Sequence, residues 1–433
     1  MTVRFLNRVL GLYRKVITSI GFWPTLISIG FSLAAVLLLS LNTEKPTTLL
    51  LERTPGLVIR DGDTARVILS TIVGSMVSLT VFSFTMVMSQ LNRAASNYSP
   101  RLLPGLVSTR RHQVVLGTFL GTISFNLFVL INIEPSDDEY ALPGLAVLTA
   151  IGLALISLGV FIYFIHSISR AIQVTNILKT VAAETRKRME KLSDTPARSE
   201  GSPSGDAECT HAIVANKTGY LCSVNQSGLK TIAQDNEIVI QVTSLQGAFI
   251  LENTQPLCTS EEVSEGTRNE ILSCLVVSGD EQIDENYVLG FKQITEVAVR
   301  AMSPGTNDPG TAITAIDLLT ELIAIRMQFD DEEIYENKDG NVSLIISVVT
   351  LPDLLYSLHA PLRLYCRHDV IIVLKLLDMF EHLLKQPHGR KTHRESVAKE
   401  VRSLKEDAQE ALHSEQDCER VSSKADRILA SFK

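Results

Sequence analysis

Four long apolar stretches dominate the first 165 residues of the chain. A membrane-spanning helix needs about 20 mostly apolar residues to cross roughly 30 Å of hydrocarbon. Each stretch meets that length, and we predict spans at Phe22–Leu41, Ala65–Leu91, Val114–Ile133 and Pro143–Ile165. The first stretch differs from a cleavable signal peptide, because its apolar core is too long and no small-x-small cleavage pattern follows it.

Polar positions in the second stretch recur at spacings of three, four or seven residues. At about 100° per residue they lie within an arc of roughly 60° and form one stripe along a helix. Hydrocarbon offers hydroxyl and amide groups no partners, so we expect protein or water against this stripe rather than lipid. Val81 is its single apolar member, and the stripe comprises Thr71, Gly74, Ser78, Val81, Thr85, Ser89, Asn92 and Ser96.

Two interpretations of the stripe stay open. Small and hydroxylated residues let helices approach closely, which favours helix packing. Alternatively, copies of this helix surround water and Val81 narrows the passage. The stripe continues beyond the membrane to a basic mouth, which a packing seam does not require. We assign that predicted cytoplasmic mouth to Arg93, Ser99, Pro100 and Arg101.

Small and polar residues also mark the third stretch. Gly117, Gly121 and Ser124 form a small-residue ridge of the kind that allows close helix crossing. Asn126 lies nearer the middle of the span, and we expect it to hydrogen-bond to another helix.

After the fourth stretch the pattern changes to that of a soluble α+β domain. Residues 193–208 are rich in Ser, Pro, Gly and acidic residues, as in a linker. Strands are predicted at His211–Val214, Gly219–Val224, Glu237–Val242, Ala248–Leu251 and Asn341–Val349. Helices are predicted at Glu285–Met302, Thr311–Gln328, Leu351–His359, Val370–Leu384 and about Arg394–Ser431, and the fourth span is expected to continue as a charged helix to about Leu192.

The predicted fold is therefore an α-helical membrane domain of four transmembrane helices plus a cytoplasmic α+β domain, in which a small β module precedes helices. The predicted parts are an interfacial amphipathic helix at 1–20, the four-span domain at 21–166, a helical extension and linker at 167–208, the β module at 209–260, an α-rich domain at 261–390 and a charged C-terminal helix at 391–433.

Charge adds an orientation to this picture. The chain has 433 residues and a net charge of −8, made of +7 in residues 1–194 and −15 in residues 195–433. Lys and Arg without acids precede the first span and separate the second from the third, whereas the loop after the third span carries only acids. The positive-inside rule then places both termini in the cytoplasm. The same profile, with 45% hydrophobic residues, excludes a disordered chain, a secreted disulfide scaffold and a basic nucleic-acid binder.

Candidate chemistry in the second half is sparse. The six cysteines lie after the fourth span without C-x-x-C spacing, and we expect them to be thiols in the reducing cytosol. His382, His388 and His393 are expected to be solvated, as is the acidic run Asp330–Glu333, while His359 belongs to a basic surface spot. No catalytic motif is present, so we predict no enzyme, no metal and no cofactor.

One turn between predicted helices carries two Pro and two Gly residues. Its polar and Pro residues are Ser303, Pro304, Asn307, Asp308, Pro309 and Thr311. Asp308 or Thr311 could cap the following helix, which is a structural role. The alternative is a polar site, because helix N-termini offer unpaired backbone donors to anions.

Several of these segments resemble one bacterial family of predicted membrane proteins, domain of unknown function 2254. The matching residues are Val81–Thr85, Gln90, Tyr98–Arg101, Gln113–Gly117, Gly219–Tyr220 and Ala301–Ala312. The resemblance covers roughly residues 20–385 and implies a bacterial plasma (inner) membrane protein. It supplies no activity.

These sequence features are compatible with two functions. The first is an oligomeric channel- or transporter-like protein that passes an ion or small ligand through the bilayer, with a cytoplasmic regulatory domain. The second is a membrane-anchored sensor or scaffold without transport. The expected partners are the lipid bilayer and further copies of the chain, and no nucleic acid.

Overall fold

The computed structural model describes residues 19, 21–40, 59, 61–97, 110–133, 144–171, 173–193, 209–279, 286–336, 342–387 and 390–432. The chain divides into two compact units, Met1–Gln173 and Val174–Lys433, which we call the membrane unit and the second unit. Except for Ser19, the predicted interfacial helix at 1–20 lies outside the described residues, as do the linker at 194–208 and His388.

The membrane unit contains four helices, α1 (Phe22–Ser40), α2 (Gly62–Asn97), α3 (Arg110–Ile131) and α4 (Gly144–Ala171). Each has a segment long and apolar enough to cross a membrane, at Phe22–Ser40, Gly62–Ser89, His112–Ile131 and Gly144–Ile168. The four predicted apolar helices are confirmed. Alanines and branched residues from all four helices form a common core, for example Ala35, Leu69, Val129 and Ala150.

Helix α3 packs against α1 along its small-residue ridge. A Cβ on Gly117 would lie 3.0 Å from the Pro24 Cα atom, and one on Gly121 would lie 2.8 Å from the Phe31 ring. Only residues without a side chain fit here, so the predicted close helix crossing is confirmed. Beside the ridge, the Ser124 and Ser28 hydroxyls are 3.1 Å apart and join the two helices.

A buried polar line also runs along α3. Asn126 is fully buried, and its Nδ2 donates to the Thr122 carbonyl of the same helix at 2.7 Å. The interhelical bond expected of Asn126 is instead made by Thr122, whose hydroxyl lies 2.9 Å from that of Ser157 on α4. That expectation was wrong, because the amide reaches its own backbone one turn away more easily than a neighbouring helix.

The second unit begins with helix α5 (Val174–Ser193), which packs on later helices of the same unit. Helix α4 ends at Ala171, so the fourth span and the charged segment form two helices rather than one continuous helix. The remaining elements are strands and helices in mixed order, followed by four consecutive helices. They are β1 (His211–Ile213), β2 (Gly219–Val224), α6 (Gln226–Asp235), β3 (Ile240–Val242), β4 (Phe249–Ile250), β5 (Leu257–Thr259), α7 (Glu265–Ser273), β6 (Leu275–Ser278), α8 (Tyr287–Ala301), α9 (Pro309–Arg326), β7 (Glu332–Glu336), β8 (Val342–Ser347), α10 (Leu351–Cys366), α11 (Val370–Leu384), α12 (Lys391–Ala411) and α13 (Glu415–Phe432).

Two sheets organise the strands. One is mixed, with the order β1-β5-β3-β8-β7, and pairs β3 with β8 in parallel; the other is antiparallel, with the order β4-β2-β6. The mixed sheet is therefore not confined to the predicted module at 209–260, because its last two strands lie at 332–347. Inward-facing residues of the strands and α6 form one core, including Ile213, Leu221, Leu229 and Leu344.

Helices pack in a layer of their own around α11. Its predicted bounds, Val370–Leu384, are confirmed, and Asp369 caps its first turn by accepting hydrogen bonds from two backbone N–H groups. The predicted charged C-terminal helix is two helices, α12 and α13, separated at Leu412–Ser414.

Two of the six cysteines are not thiols. Cys209 and Cys258 form a disulfide whose Cα atoms are 5.6 Å apart, which corrects the expectation for this pair. It ties the start of β1 to β5, which pair in the mixed sheet. Cys222, Cys274, Cys366 and Cys418 are free thiols, as expected.

Candidate functional site

The polar stripe of α2 lies directly opposite the side by which α2 packs on its own chain. Ala65, Leu69, Met76 and Ser83 are buried against the neighbouring helices, and they follow one line along α2. At about 100° per residue, the centre of the polar stripe falls about 180° from that line. This opposition places the stripe where α3 and α4 do not reach.

Every described side chain of the stripe is exposed. Val81, for example, is 59% exposed. The exposed members are Thr71, Gly74, Ser78, Val81, Thr85, Ser89 and Asn92. Arg93 and Ser96 lie on the last turns of α2 with side chains outside the described set, and Ser99, Pro100 and Arg101 lie outside the described residues. Among the described helices of this chain, none covers the stripe, so packing between these helices does not account for it.

Three hydroxyl groups of the stripe donate their protons to backbone carbonyls of α2. Thr71 donates to the Val67 carbonyl at 2.7 Å, Ser78 to that of Gly74 at 3.0 Å, and Thr85 to that of Val81 at 2.9 Å. Each oxygen still has lone pairs free to accept. The stripe therefore presents hydrogen-bond acceptors, and it carries no charge between Thr71 and Ser89.

Apolar side chains border the stripe on both sides. Val77, Phe84 and Met88 are exposed on one flank, and Phe82 is exposed on the other. A Cβ placed on Gly74 would meet no atom within 4 Å beyond its own helix. The exposed face of α2 thus combines an apolar border suited to hydrocarbon or protein with a polar centre that hydrocarbon leaves unsolvated.

The turn between α8 and α9 is built by its own side chains. Asp308 caps α9, because its Oδ1 accepts from the Thr311 N–H at 3.1 Å and its Oδ2 from the Thr311 hydroxyl at 2.6 Å. Pro309 occupies the first helical position, which needs no N–H. The capping role predicted for Asp308 is confirmed.

The other polar residues of this turn also bond locally. Ser303 donates its hydroxyl to the Arg300 carbonyl at 2.7 Å, and Asn307 adopts a left-handed conformation with φ of 46°. Pro304 is exposed at the tip. The described groups hold the turn together, and the anion site remains a prediction.

A buried charge network in the second unit was missed by sequence reasoning. The Arg326 side chain on α9 is 1% exposed. Its guanidinium donates to the Tyr287 hydroxyl at 3.2 Å, to the carbonyls of Phe329 and Val349 at 3.2 and 2.8 Å, and to Asp331 Oδ1 at 2.7 Å. A buried arginine with this many partners fixes the chain that follows α9.

Asp331 is the acidic centre of that network. It also accepts from the Leu351 N–H at 2.9 Å and from His393 Nε2 at 3.3 Å. Burial raises the pKa of Asp331, but the His393 and Leu351 hydrogen bonds and the charge of Arg326 outweigh it and lower the pKa to about 2. The interpretation of Asp330–Glu333 as a solvated loop was wrong, since Asp331 is bonded and β7 begins at Glu332.

Two histidines are buried where exposure was expected. His393 is 1% exposed beside Asp331. His359 is also 1% exposed, its Nδ1 lies 2.6 Å from Glu400 Oε2, and burial lowers its pKa. Both therefore join α12 to the rest of the unit, whereas His382 is exposed as predicted.

A groove of about 580 Å³ lies between α5, α9 and α11 of the second unit. Two ion pairs cross it, Arg186 with Glu321, and Lys375 with Asp317 at 2.5 Å. Most of the side chains that line it are charged or polar. Within the described residues, no group of three or more His, Cys, Asp or Glu side chains could hold a metal ion.

Comparison with known proteins identifies the family to which this chain belongs. The family model described as "Predicted membrane protein", domain of unknown function 2254, matches residues 17–382. An uncharacterized protein of Mycobacterium bovis and one of Mycobacterium tuberculosis are each 24% identical over 328 residues, which is 73% of this chain and 63% of the relative. The chain thus spans less than two thirds of the length of these relatives, and no solved structure matches it. Because the family model covers most of the chain, the protein belongs to the family of predicted membrane proteins called domain of unknown function 2254.

Proposed function

We propose that the protein is an oligomeric channel- or transporter-like protein of the bacterial plasma membrane. In this proposal the α2 helices of several copies surround a passage for an ion or small solute. The second unit serves as a cytoplasmic regulatory domain, and both termini lie in the cytoplasm, a reducing compartment in which the Cys209–Cys258 disulfide would be opened. The proposal assigns no catalytic activity, cofactor or nucleic-acid partner to the chain.

The position of the α2 stripe carries the proposal. A transmembrane helix that exposes polar groups away from its own bundle needs another polar or protein surface there. Four spans rarely enclose a passage alone, so further copies of the chain supply the remaining wall. The hydroxyl oxygens of Ser78 and Thr85 can accept hydrogen bonds from the passage, which favours a cation or a hydrogen-bond-donating solute. Val81 forms the apolar constriction of the passage.

Charge distribution supports the proposed orientation. Lys and Arg dominate the segments before the first span and after the fourth, and acids dominate the loop between the third and fourth. This bias directs those basic segments to the cytoplasm. The groove between α5, α9 and α11 is a candidate place for a regulatory ligand.

Flux through liposomes tests the proposal. Purified full-length protein is reconstituted, and fluxes of potassium, chloride and glycerol are compared between the natural chain and a Ser78→Leu or Thr85→Leu variant. Ser75→Leu is the matched control, because Ser75 is exposed on the same helix, about 60° from Ser78 and about 80° from Thr85. We expect flux in the natural chain, its loss in both stripe variants and its retention in the control.

Two results would contradict the proposal. One is absence of flux for all three probes, whether the particle in lipid is a monomer or an oligomer. The other is an equal loss of flux in the control and the stripe variants, since a general defect would then explain both.

A membrane-anchored sensor or scaffold is the second candidate. Its supporting observation is that the Thr71, Ser78 and Thr85 hydroxyls are bonded within their own helix, so the stripe can pack against another copy without water. A stable oligomer in lipid that conducts none of the probes would favour this function.

A further inference from the structure

The Cys209–Cys258 disulfide lies in a unit for which we propose a cytoplasmic location. Disulfides are rare in that reducing compartment, and those that occur there are usually transient and serve catalysis or redox sensing. The Cα atoms of the pair are 5.6 Å apart, a separation that a disulfide spans without backbone movement. The fold therefore brings two thiols of the reduced chain close enough to join.

Small molecules in solution can reach this pair. Cys209 and Cys258 are both partly exposed. On β5, Cys258 lies between the buried residues Leu257 and Thr259. Because side chains alternate across a strand, Cys258 points away from the core that contains Leu257. Access of this kind is what thiol–disulfide exchange requires.

The other cysteines are less suited to this chemistry. Cys222, Cys274 and Cys366 are buried. Burial raises the pKa of the Cys274 thiol and raises that of Cys366 to about 12, so both stay protonated at neutral pH. Cys418 is partly exposed, but it is a free thiol without a disulfide partner. The bridged pair is therefore the favoured site of thiol–disulfide exchange among the six cysteines.

The bridge is attached to an edge strand. Strand β1 lies at the edge of the mixed sheet, and β5 is its one partner among the described strands. Their pairing covers only His211–Ile213. Beyond β1 the backbone is fixed again, because Ala215 donates its N–H to the Thr254 carbonyl at 2.8 Å and accepts from the Asn253 N–H at 3.0 Å. Opening the bridge therefore loosens β1 and leaves the rest of the sheet in place.

We propose that Cys209 and Cys258 form a reversible redox switch, which fixes β1 in oxidised protein and loosens it in reduced protein. The oxidant is a low-molecular-weight disulfide. One protein thiolate attacks it, forms a mixed disulfide and releases one small thiolate; the other protein thiolate then displaces the second and closes the bridge. The protein loses two electrons and two thiol protons, and the small disulfide becomes two thiols. An excess of small thiol drives the reverse exchange.

The reducing setting of the switch rests on the proposed function, since that proposal places the second unit in the cytoplasm. The chemistry of the pair does not depend on transport. The predicted linker at 193–208 ends next to Cys209. The switch therefore sets how firmly the end of this linker is attached to the mixed sheet.

Equilibration with glutathione tests the chemistry. Full-length protein in lipid nanodiscs is held at a series of ratios of reduced to oxidised glutathione, quenched with acid and alkylated, and its intact mass gives the number of free thiols. We expect one transition from six thiols to four, mapped to Cys209 and Cys258. Cys418→Ser removes a partly exposed cysteine outside the pair and should keep the same midpoint. Cys258→Ser should instead retain one glutathione on Cys209.

Hydrogen exchange of the natural chain tests the structural consequence without any substitution. We expect the amides of His211–Ile213 to exchange about tenfold faster in the reduced form than in the oxidised form. The amides of Ile240–Val242 are the control, because β3 is paired on both sides in the same sheet and should keep its rates. Equal rates for β1 in the two forms would refute the switch.

The state of the pair in cells is measured by acid quenching before and after brief exposure to the thiol oxidant diamide. We expect thiols before exposure, the disulfide after it and thiols again on recovery. A bridge already closed in untreated cells, or thiols that persist at the most oxidising glutathione ratio, would overturn the inference. Absence of flux in liposomes refutes the proposed passage alone, because none of these redox measurements depends on transport.

Discussion

Replacing Asp331 by Asn should destabilise the second unit in a pH-dependent way. The substitution preserves size but removes the charge that faces Arg326, and it replaces an acceptor oxygen by an amide that cannot accept from His393. Arg326 is left buried without the carboxylate to which it is hydrogen-bonded. Removing one partner of a buried ion pair costs about 3 kcal/mol or more, and the 29% exposure of the Asp331 side chain places this case at the lower end.

The pH dependence has a definite sign. The folded-state pKa of Asp331 is lowered from 3.8 to about 2. The unfolded chain therefore binds a proton before the folded one does as the solution is acidified. The charged form contributes about 2 kcal/mol above pH 5, and that contribution is lost as the pH falls through about 4 towards 2.

Guanidinium unfolding of the full chain in detergent, followed by circular dichroism, measures the effect. Asp330→Asn is the matched control, since Asp330 is adjacent and its ion pair with Arg390 is exposed on both sides. We expect a large loss of stability for Asp331→Asn at pH 7, a smaller one at pH 3, and little loss for the control. Equal losses at both pH values, or equal losses for both variants, would refute this account of the network.

Three further substitutions probe other parts of the fold. Gly121→Val should weaken the packing of α1 on α3 by about 2 kcal/mol, measured by thermal unfolding in detergent, whereas Gly152→Val on the open side of α4 should not. Asp308→Ala should cost about 1 kcal/mol by removing the cap of α9, and Asp308→Asn should recover most of it; equal losses for the two would exclude capping. Cys209→Ser opens a loop with a sequence separation of 49 and should cost about 4 kcal/mol in oxidised protein, but nothing after both proteins are reduced. If Cys209→Ser still lowers the free energy of unfolding under reducing conditions, the loss comes from changed packing and not from the missing disulfide.

The elements predicted well are those with local signals. Helix α11 has a capping Asp369 followed by an unbroken helical pattern, so its bounds follow from adjacent residues. The Gly117 and Gly121 ridge is likewise visible as spacing within one helix. The Asp308 cap is also a local signal, because Asp308 and Thr311 are only three positions apart in the sequence.

The elements missed depend on contacts between distant parts of the chain. Strand β3 pairs with β8, and the two share one parallel register although about 100 residues separate them. No local sequence pattern indicates that pairing. For this reason the predicted β module at 209–260 did not include β7 and β8. The short helices α6 and α7 were missed because each has about ten residues and a mixed composition.

Burial of charge could not be predicted from spacing alone. Arg326 lies at the end of a predicted helix, where a basic residue usually meets solvent and the helix dipole. Its burial depends on Tyr287 and the Val349 carbonyl, which come from other elements. For the α2 stripe, the polar periodicity could be recognised in the sequence. The direction in which the stripe faces could be determined only from the positions of α3 and α4.

Oxygen accessibility at a spin label tests most directly whether the α2 stripe avoids acyl chains. A ketone-bearing residue carrying a nitroxide is placed at Ser78 in reconstituted full-length protein, which leaves the native cysteines untouched. The reference position is Leu155 on α4, an apolar residue that is 66% exposed. The account predicts much lower oxygen accessibility at Ser78 than at Leu155, as expected for a face shielded by another copy or by water. Equal oxygen accessibility at the two positions would show that the stripe lies in lipid and would contradict it.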